Sequence, residues 1–196
     1  MENPPLVFYA NPKATTFQFR LRQHNTTESF NHPVDVFEIL YNLSVGIERL
    51  LKVAIVLIEH NDEVTNEEFE KSLITHNTQA LLERLNEHKD LNLTHLNWEF
   101  VALLSKFYKS HRYARYSLRS VLNIAQEKIQ FLEFISKHLH VDFDVDDEFA
   151  PLVNTDQIKR FIGKIVKRIA RSIFSVIQEQ ASRFVLVQRE LESRAF

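Results

Sequence analysis

An all-α fold, a single-domain helical bundle, is the class this sequence predicts, and three observations predict it. Gly occurs only twice in 196 residues, far below the ~7% of an average chain, and tight turns need Gly. Apolar residues recur at three- and four-residue spacing through most of the chain, the period of an amphipathic helix. A hydrophobic content of 44%, with no Pro/Gly/Ser-rich linker to divide it, suffices for one substantial core. The chain separates into an N-terminal arm, residues 1–33, and a helical bundle, residues 34–196, that closes on one long C-terminal helix.

The arm holds Pro4, Pro5 and Pro12, with Pro33 at its end, and Phe17, Phe19 and Leu21 alternate with Gln18, Arg20 and Arg22. An irregular segment with one short strand is expected there. Pro33 and Asp35 then open the first helix, whose seam is Val36, Ile39, Leu40, Leu43, Ile47, Leu50, Leu51, Ala54, Leu57 and Ile58. On its polar side Glu48 and Lys52 stand four apart in the stabilising order. Thr65 with Glu68 forms a capping-box signal, and Phe69, Leu73, Ile74, Leu81, Leu82 and Leu85 continue an apolar face. Thr75, His76 and Asn77 interrupt that face, so a second helix or a broken pair is expected, with His76-Asn77 as a cap. A third helix carries Leu96, Phe100, Val101, Leu103, Leu104 and Phe107, with Trp98 near its start. A fourth, from about Tyr116 to His138, carries Leu118, Val121, Leu122, Ala125, Ile129, Leu132 and Ile135. Pro151 ends the connection after it, and Asn154 with Gln157 begins the last helix, seamed by Ile158, Phe161, Ile162, Ile165, Val166, Ile169, Ile173 and Ile177. Unbroken, this helix would run roughly 50 Å at 1.5 Å per residue, more than a bundle of this size needs. It should kink or project into a partner.

Composition excludes several chemistries. Without Cys there is no disulfide, thiolate zinc site or cysteine nucleophile, and the scarcity of Gly removes Walker-type and dinucleotide-binding loops. The longest apolar run, residues 53–58, is far short of the ~20 residues that span a bilayer. No secretory signal opens the chain, so a cytoplasmic protein without membrane contact is expected, and the Asn25-Thr26-Thr27 sequon is not expected to be used. None of the nine histidines falls in a His-Glu-x-x-His pattern. Asp142, Asp144 and Asp146 alternate, but an EF-hand needs Gly where Asp147 stands and Glu where Val153 stands. Neither a metal nor any other cofactor is expected.

The net charge of -2 conceals segregation. Between Glu99 and Glu127 there is no acid, while Lys106, Lys109, Arg112, Arg115 and Arg119 interleave with Phe107, Tyr108, Tyr113 and Tyr116. Cations hold phosphates and rings stack on bases, so Lys109, Arg112, Tyr113, Arg115, Tyr116 and Arg119 are the candidate RNA-binding residues, with Tyr108 a further candidate ring. The plainer alternative is a helix end whose arginines pair with acids and whose tyrosines pack inward. A second basic block, Lys159, Arg160, Lys164, Lys167, Arg168 and Arg171, falls opposite the isoleucine seam and reads as a solvated face, or else as a second nucleic-acid strip. The acidic knot of Asp142, Asp144, Asp146, Asp147 and Glu148 is a solvated loop or an intramolecular mate for these surfaces.

Three segments together resemble the HEPN superfamily, compact helical domains of prokaryotic toxin–antitoxin, phage-defence and RNA-processing systems. They are Ile47-Glu48-Arg49-Leu50-Leu51-Lys52 in a long first helix, His76-Asn77-Thr78-Gln79-Ala80-Leu81-Leu82 opening a later one, and the tyrosine- and arginine-bearing run from Tyr108 to Tyr116. The likeness covers roughly residues 34–180. It implies a helical bundle, a homodimer, RNA as ligand, and a cognate antitoxin or other protein partner. Active members carry Arg, four to six residues, then His, and cleave RNA without metal across a dimer interface. Here Arg20 to His24 and Arg84 to His88 have only three residues between them, whereas Lys106 and His111 have four. Lys cannot clamp a phosphate bidentately as Arg does. By resemblance the catalytic candidates are His111 with Lys106 or Arg112, one to take the 2′-hydroxyl proton and the others to neutralise phosphate. RNA binding is therefore the expected function, with ribonuclease activity as its extension. A non-catalytic adaptor that assembles through the last helix is the alternative, and a small-molecule-binding bundle leaves no sequence fingerprint.

Overall fold

The computed structural model describes residues 33–60, 66–110, 126–141 and 155–194. Six helices lie within them: α1 (Pro33–Glu59), α2 (Asn66–Ser72), α3 (Thr78–His88), α4 (His95–Ser110), α5 (Gln126–Leu139) and α6 (Thr155–Arg194). No strand occurs among the described residues, as the all-α expectation requires. The N-terminal arm with its short strand, the Thr65 cap, the first ten residues of the expected fourth helix, the acidic knot and Pro151 lie outside them.

Four of the other described helices, α3, α4, α5 and α6, assemble on α1. It opens on Pro33, whose fixed φ suits the first helical turn. Val36, Leu40, Ile47, Leu51, Ala54 and Ile55 fall on one stripe, each at most 3% exposed. Burying a Leu or Ile side chain stabilises the fold by roughly 1.5–3 kcal/mol. Leu57, expected on this seam, is instead exposed, because two residues past Ile55 a side chain points to the far side of the helix. Ser44 shares the stripe: its Oγ donates to the Leu40 carbonyl at 2.7 Å and lies 3.4 Å from the Leu104 carbonyl of α4. The hydroxyl is thereby satisfied where α4 crosses.

The interrupted apolar face forms a broken pair. α2 carries Glu67 and Glu68 in its first turn, where carboxylates favour the helix dipole, and buries Phe69. Ile74, expected on the same face, falls past the end of α2 and is exposed. α3 begins after Asn77, whose side chain accepts from the Ala80 N–H, and it buries Leu81, Leu82 and Leu85. Among the described residues two left-handed positions fall to polar residues rather than Gly, Asn92 at φ 49° and His140 at φ 53°. At the α3–α4 corner Asp90 Oδ1 accepts from Asn92 N at 2.9 Å, and Asn86 Oδ1 accepts from Leu91 N at 3.1 Å. Side-chain acceptors thus hold a bend that Gly would otherwise serve.

α6 is a 40-residue helix, about 60 Å long. Ile158, Ile162, Ile165, Ile169, Ile173 and Val176 are at most 5% exposed, and Ile177 is the last of the described side chains packed against the core. Arg168 Nη2 donates to the Asn92 carbonyl at 2.8 Å and Ser172 Oγ to that of Leu91, which fastens α6 to the α3–α4 corner. Beyond Ile177 the helix continues to Arg194 with Gln178, Ala181, Ser182, Arg183 and Val185 exposed. The expected long last helix is thus a single assigned helix from Thr155 to Arg194.

Candidate nucleic-acid interface

The last two turns of α4 bury one side against the described helices. Ser105, Phe107 and Tyr108 are at most 5% exposed, whereas Lys106 and Lys109, off that stripe, are exposed. Phe107 meets Phe37 of α1 edge-on at 5.3 Å, and Tyr108 stacks on Tyr41 at 6.1 Å. Ser105 Oγ donates to Asn77 Oδ1 at 2.9 Å, so the atom that caps α3 also receives α4. The C-terminal end of α4 is therefore anchored by α1 and α3 together.

Below it lies a carboxylate. Glu48 is 7% exposed, and its Oε1 accepts from Lys52 Nζ at 2.7 Å, the pair expected from their four-residue spacing. His76, just before the α3 cap, places Nδ1 at 3.2 and 3.3 Å from the two oxygens of Glu48. Its ring lies 5.0 Å from that of Tyr108. Glu48 thereby orients the imidazole and leaves Nε2 on the far side of a ring that is 51% exposed. Such a nitrogen can give or take a proton. Glu48 and Lys52, His76 and Asn77, and Tyr108 come from the three segments that carried the family resemblance, and they meet here.

Of the predicted site residues, Lys106 and Lys109 are exposed on α4, while His111, Arg112, Tyr113, Arg115, Tyr116 and Arg119 lie outside the described residues. Tyr108 is a correction: it is not a ring presented to bases but a core residue, one and two turns along from Leu104 and Val101 on the buried stripe. The contact of Glu48 with His76 escaped the sequence reading, which placed His76 only near a cap. Twenty-eight residues separate the two, and no helical periodicity links them.

Other polar clusters have structural work. Arg84 Nε donates to both oxygens of Glu59, at 2.8 and 3.1 Å, and His88 Nε2 lies 3.0 Å from Oε1. The Arg84 to His88 spacing thus serves to hold α3 to the end of α1. Glu99 of α4 pairs with Lys137 and, at 2.7 Å, with His138 of α5, which packs on Phe134. No group of three or more potential ligands placed to hold a metal occurs among the described residues, and none of their helices is long and apolar enough to cross a membrane. On α6, all six cations of the second basic block are exposed opposite the isoleucine seam. No family model, curated protein or solved structure matches this chain.

Proposed function

We propose that this chain is an RNA-binding helical-bundle protein of the HEPN type that contacts single strands through residues 106–119. The supporting observation is the build of the α4 end, with Ser105, Phe107 and Tyr108 locked into the core and Lys106 and Lys109 turned outward. The acid-free stretch thus begins on a fixed helix end, which lowers the ordering cost of binding. Lys109, Arg112, Arg115 and Arg119 neutralise phosphates, and Tyr113 and Tyr116 stack on bases. In the same reading the chain acts as a homodimer in a prokaryotic defence or toxin–antitoxin setting, with an antitoxin as protein partner. Cleavage is its extension: His111 takes the 2′-hydroxyl proton while Lys106 and Arg112 neutralise the phosphate.

Titrating the protein with short single-stranded RNA at several salt concentrations tests the binding reading. About four neutralised phosphates give a log–log slope of roughly -3, at ~0.7 per contact on single strands. A flat salt response, or unchanged affinity on joint replacement of Arg112 and Arg115 by Ala, overturns it. Cleavage is tested separately by His111→Ala, which abolishes product while leaving affinity intact.

A second reading, a structural adaptor that assembles through its last helix, is favoured by the length of α6 beyond Ile177. Truncation before Ser182 followed by a mass measurement in solution tests it. An unchanged oligomer with unchanged partner binding counts against it.

A further inference from the structure

The six cations of α6, Lys159, Arg160, Lys164, Lys167, Arg168 and Arg171, are all exposed. At 100° and 1.5 Å per residue they occupy a half-cylinder about 18 Å long, facing away from the isoleucine seam. No Asp or Glu falls between Asp156 and Glu179. Among the described residues none of the six joins an ion pair; Arg160 donates to the Asp156 carbonyl and Arg168 to that of Asn92, neutral acceptors that leave both charges uncompensated there. Arg160 with Lys164, Lys164 with Arg168, and Lys167 with Arg171 are like-charged pairs four apart, which destabilise a helix. Of the six, only Arg160 and Arg168 hydrogen-bond among the described residues, the latter holding α6 to the α3–α4 corner, and no carboxylate offsets the repulsion among the six charges there.

Gly163 lies in the middle of the ridge, between Lys159 and Lys167 around the helix. A helix interior disfavours Gly, and a Cβ added there would meet nothing within 4 Å, so no packing among the described residues calls for it.

The ridge offers charge without the apolar groups other anionic partners need. Among the described residues the exposed large hydrophobic ones are Val53, Val56, Leu57, Ile74 and Val185, none of them within 159–171. An interfacial membrane helix inserts such residues, and single-strand surfaces present aromatic rings for stacking. A half-cylinder of cations with neither suits the regularly spaced phosphates of a duplex. We propose that α6 is a docking surface for the phosphate backbone of double-stranded nucleic acid, separate from residues 106–119 and indifferent to sequence.

The test titrates the full chain with a 20-base-pair duplex RNA, the same duplex as DNA, one of its single strands, and vesicles containing phosphatidylserine, each at several salt concentrations. Four to six phosphates at about 0.9 each give a duplex slope between roughly -3.6 and -5.4. The two duplexes show whether the ridge takes RNA, DNA or both. Joint Lys164→Glu and Lys167→Glu should shrink the slope by about 2 and weaken duplex binding at least ~10-fold at low salt, with helix content by circular dichroism and single-strand affinity unchanged. Lys164→Ala with Lys167→Ala gives the same slope change if charge reversal disturbs folding. Absence of duplex binding at low salt, duplex binding indifferent to both pairs of substitutions, or tighter binding to vesicles than to either duplex overturns the proposal. Loss of single-strand binding alone overturns the reading of residues 106–119 and not this one.

Discussion

Glu59 shows how one carboxylate can join two elements, the end of α1 and the last turns of α3. The Arg84 hydrogen bond, against the opposing effect of burial and with help from His88, holds its carboxyl below the ordinary 4.5. A group whose pKa is lower folded than unfolded stabilises the fold above the unfolded value and loses that contribution as pH falls through the folded value. Glu59→Gln should therefore cost about 1.5–3 kcal/mol near neutral pH, the range for hydrogen bonds to charged groups. Below 4.5 the difference from the parent chain should shrink towards zero. Urea unfolding of both proteins across this range checks it, and a difference that grows on acidification contradicts the assignment. Glu99, held down first by Lys137, and Glu179, held down first by Lys89, push in the same direction, so the fold as a whole should be acid-labile.

Single atoms at element ends decide how α3 and α4 meet. Asn77 Oδ1 serves the Ala80 N–H and the Ser105 hydroxyl at once. Asn77→Ala should cost about 1–2 kcal/mol by the loss of the cap, and more if the buried Ser105 hydroxyl finds no substitute. Asn77→Asp, which keeps the acceptor, should recover most of it in thermal unfolding. Gly46 is the counterpart on α1: a Cβ there meets nothing within 4 Å. Gly46→Ala should accordingly stabilise the chain by about 0.5–1 kcal/mol. Elements of this kind were legible in the sequence where the signal is local. The interruption at Thr75, His76 and Asn77 marks the α2–α3 break because capping acts over three residues. Tyr108 faces the other way from its sequence expectation because a tyrosine ring is apolar in body and polar at its tip, so composition alone does not say which end faces water. Its position four residues after Leu104 was the signal that decided it. Lys106 and Lys109 do point outward, as a charged head on a long stem keeps to water.

At the scale of the molecule, α1 is the element the others share, and its interior should be the least forgiving. Leu51 is fully buried, and Leu51→Ala should cost about 2–5 kcal/mol, the range of transfer and cavity terms together. A comparable truncation at exposed Val53 should change stability by less than ~0.5 kcal/mol. Denaturant unfolding of the two variants side by side separates them. The α1 and α6 seams were readable because an apolar stripe repeating every three or four residues is the mark of a helix with one buried face. The meeting of Glu48 with His76, and the hold of Arg168 and Ser172 on the α3–α4 corner, were not, because tertiary contacts across 28 to 81 residues leave no period in the chain.

The stretch of α6 past Ile177 turns angle into distance. Its 17 residues to Arg194 extend about 26 Å from the last core contact among the described side chains. A change of about 10° in how the seam seats would carry the far tip roughly 4–5 Å, while residues near Ile173 barely move. The helix is in that sense a lever with its fulcrum where Arg168 and Ser172 grip the Leu91–Asn92 corner. A strain at that corner too small to disturb the core would still be plainly visible at the tip.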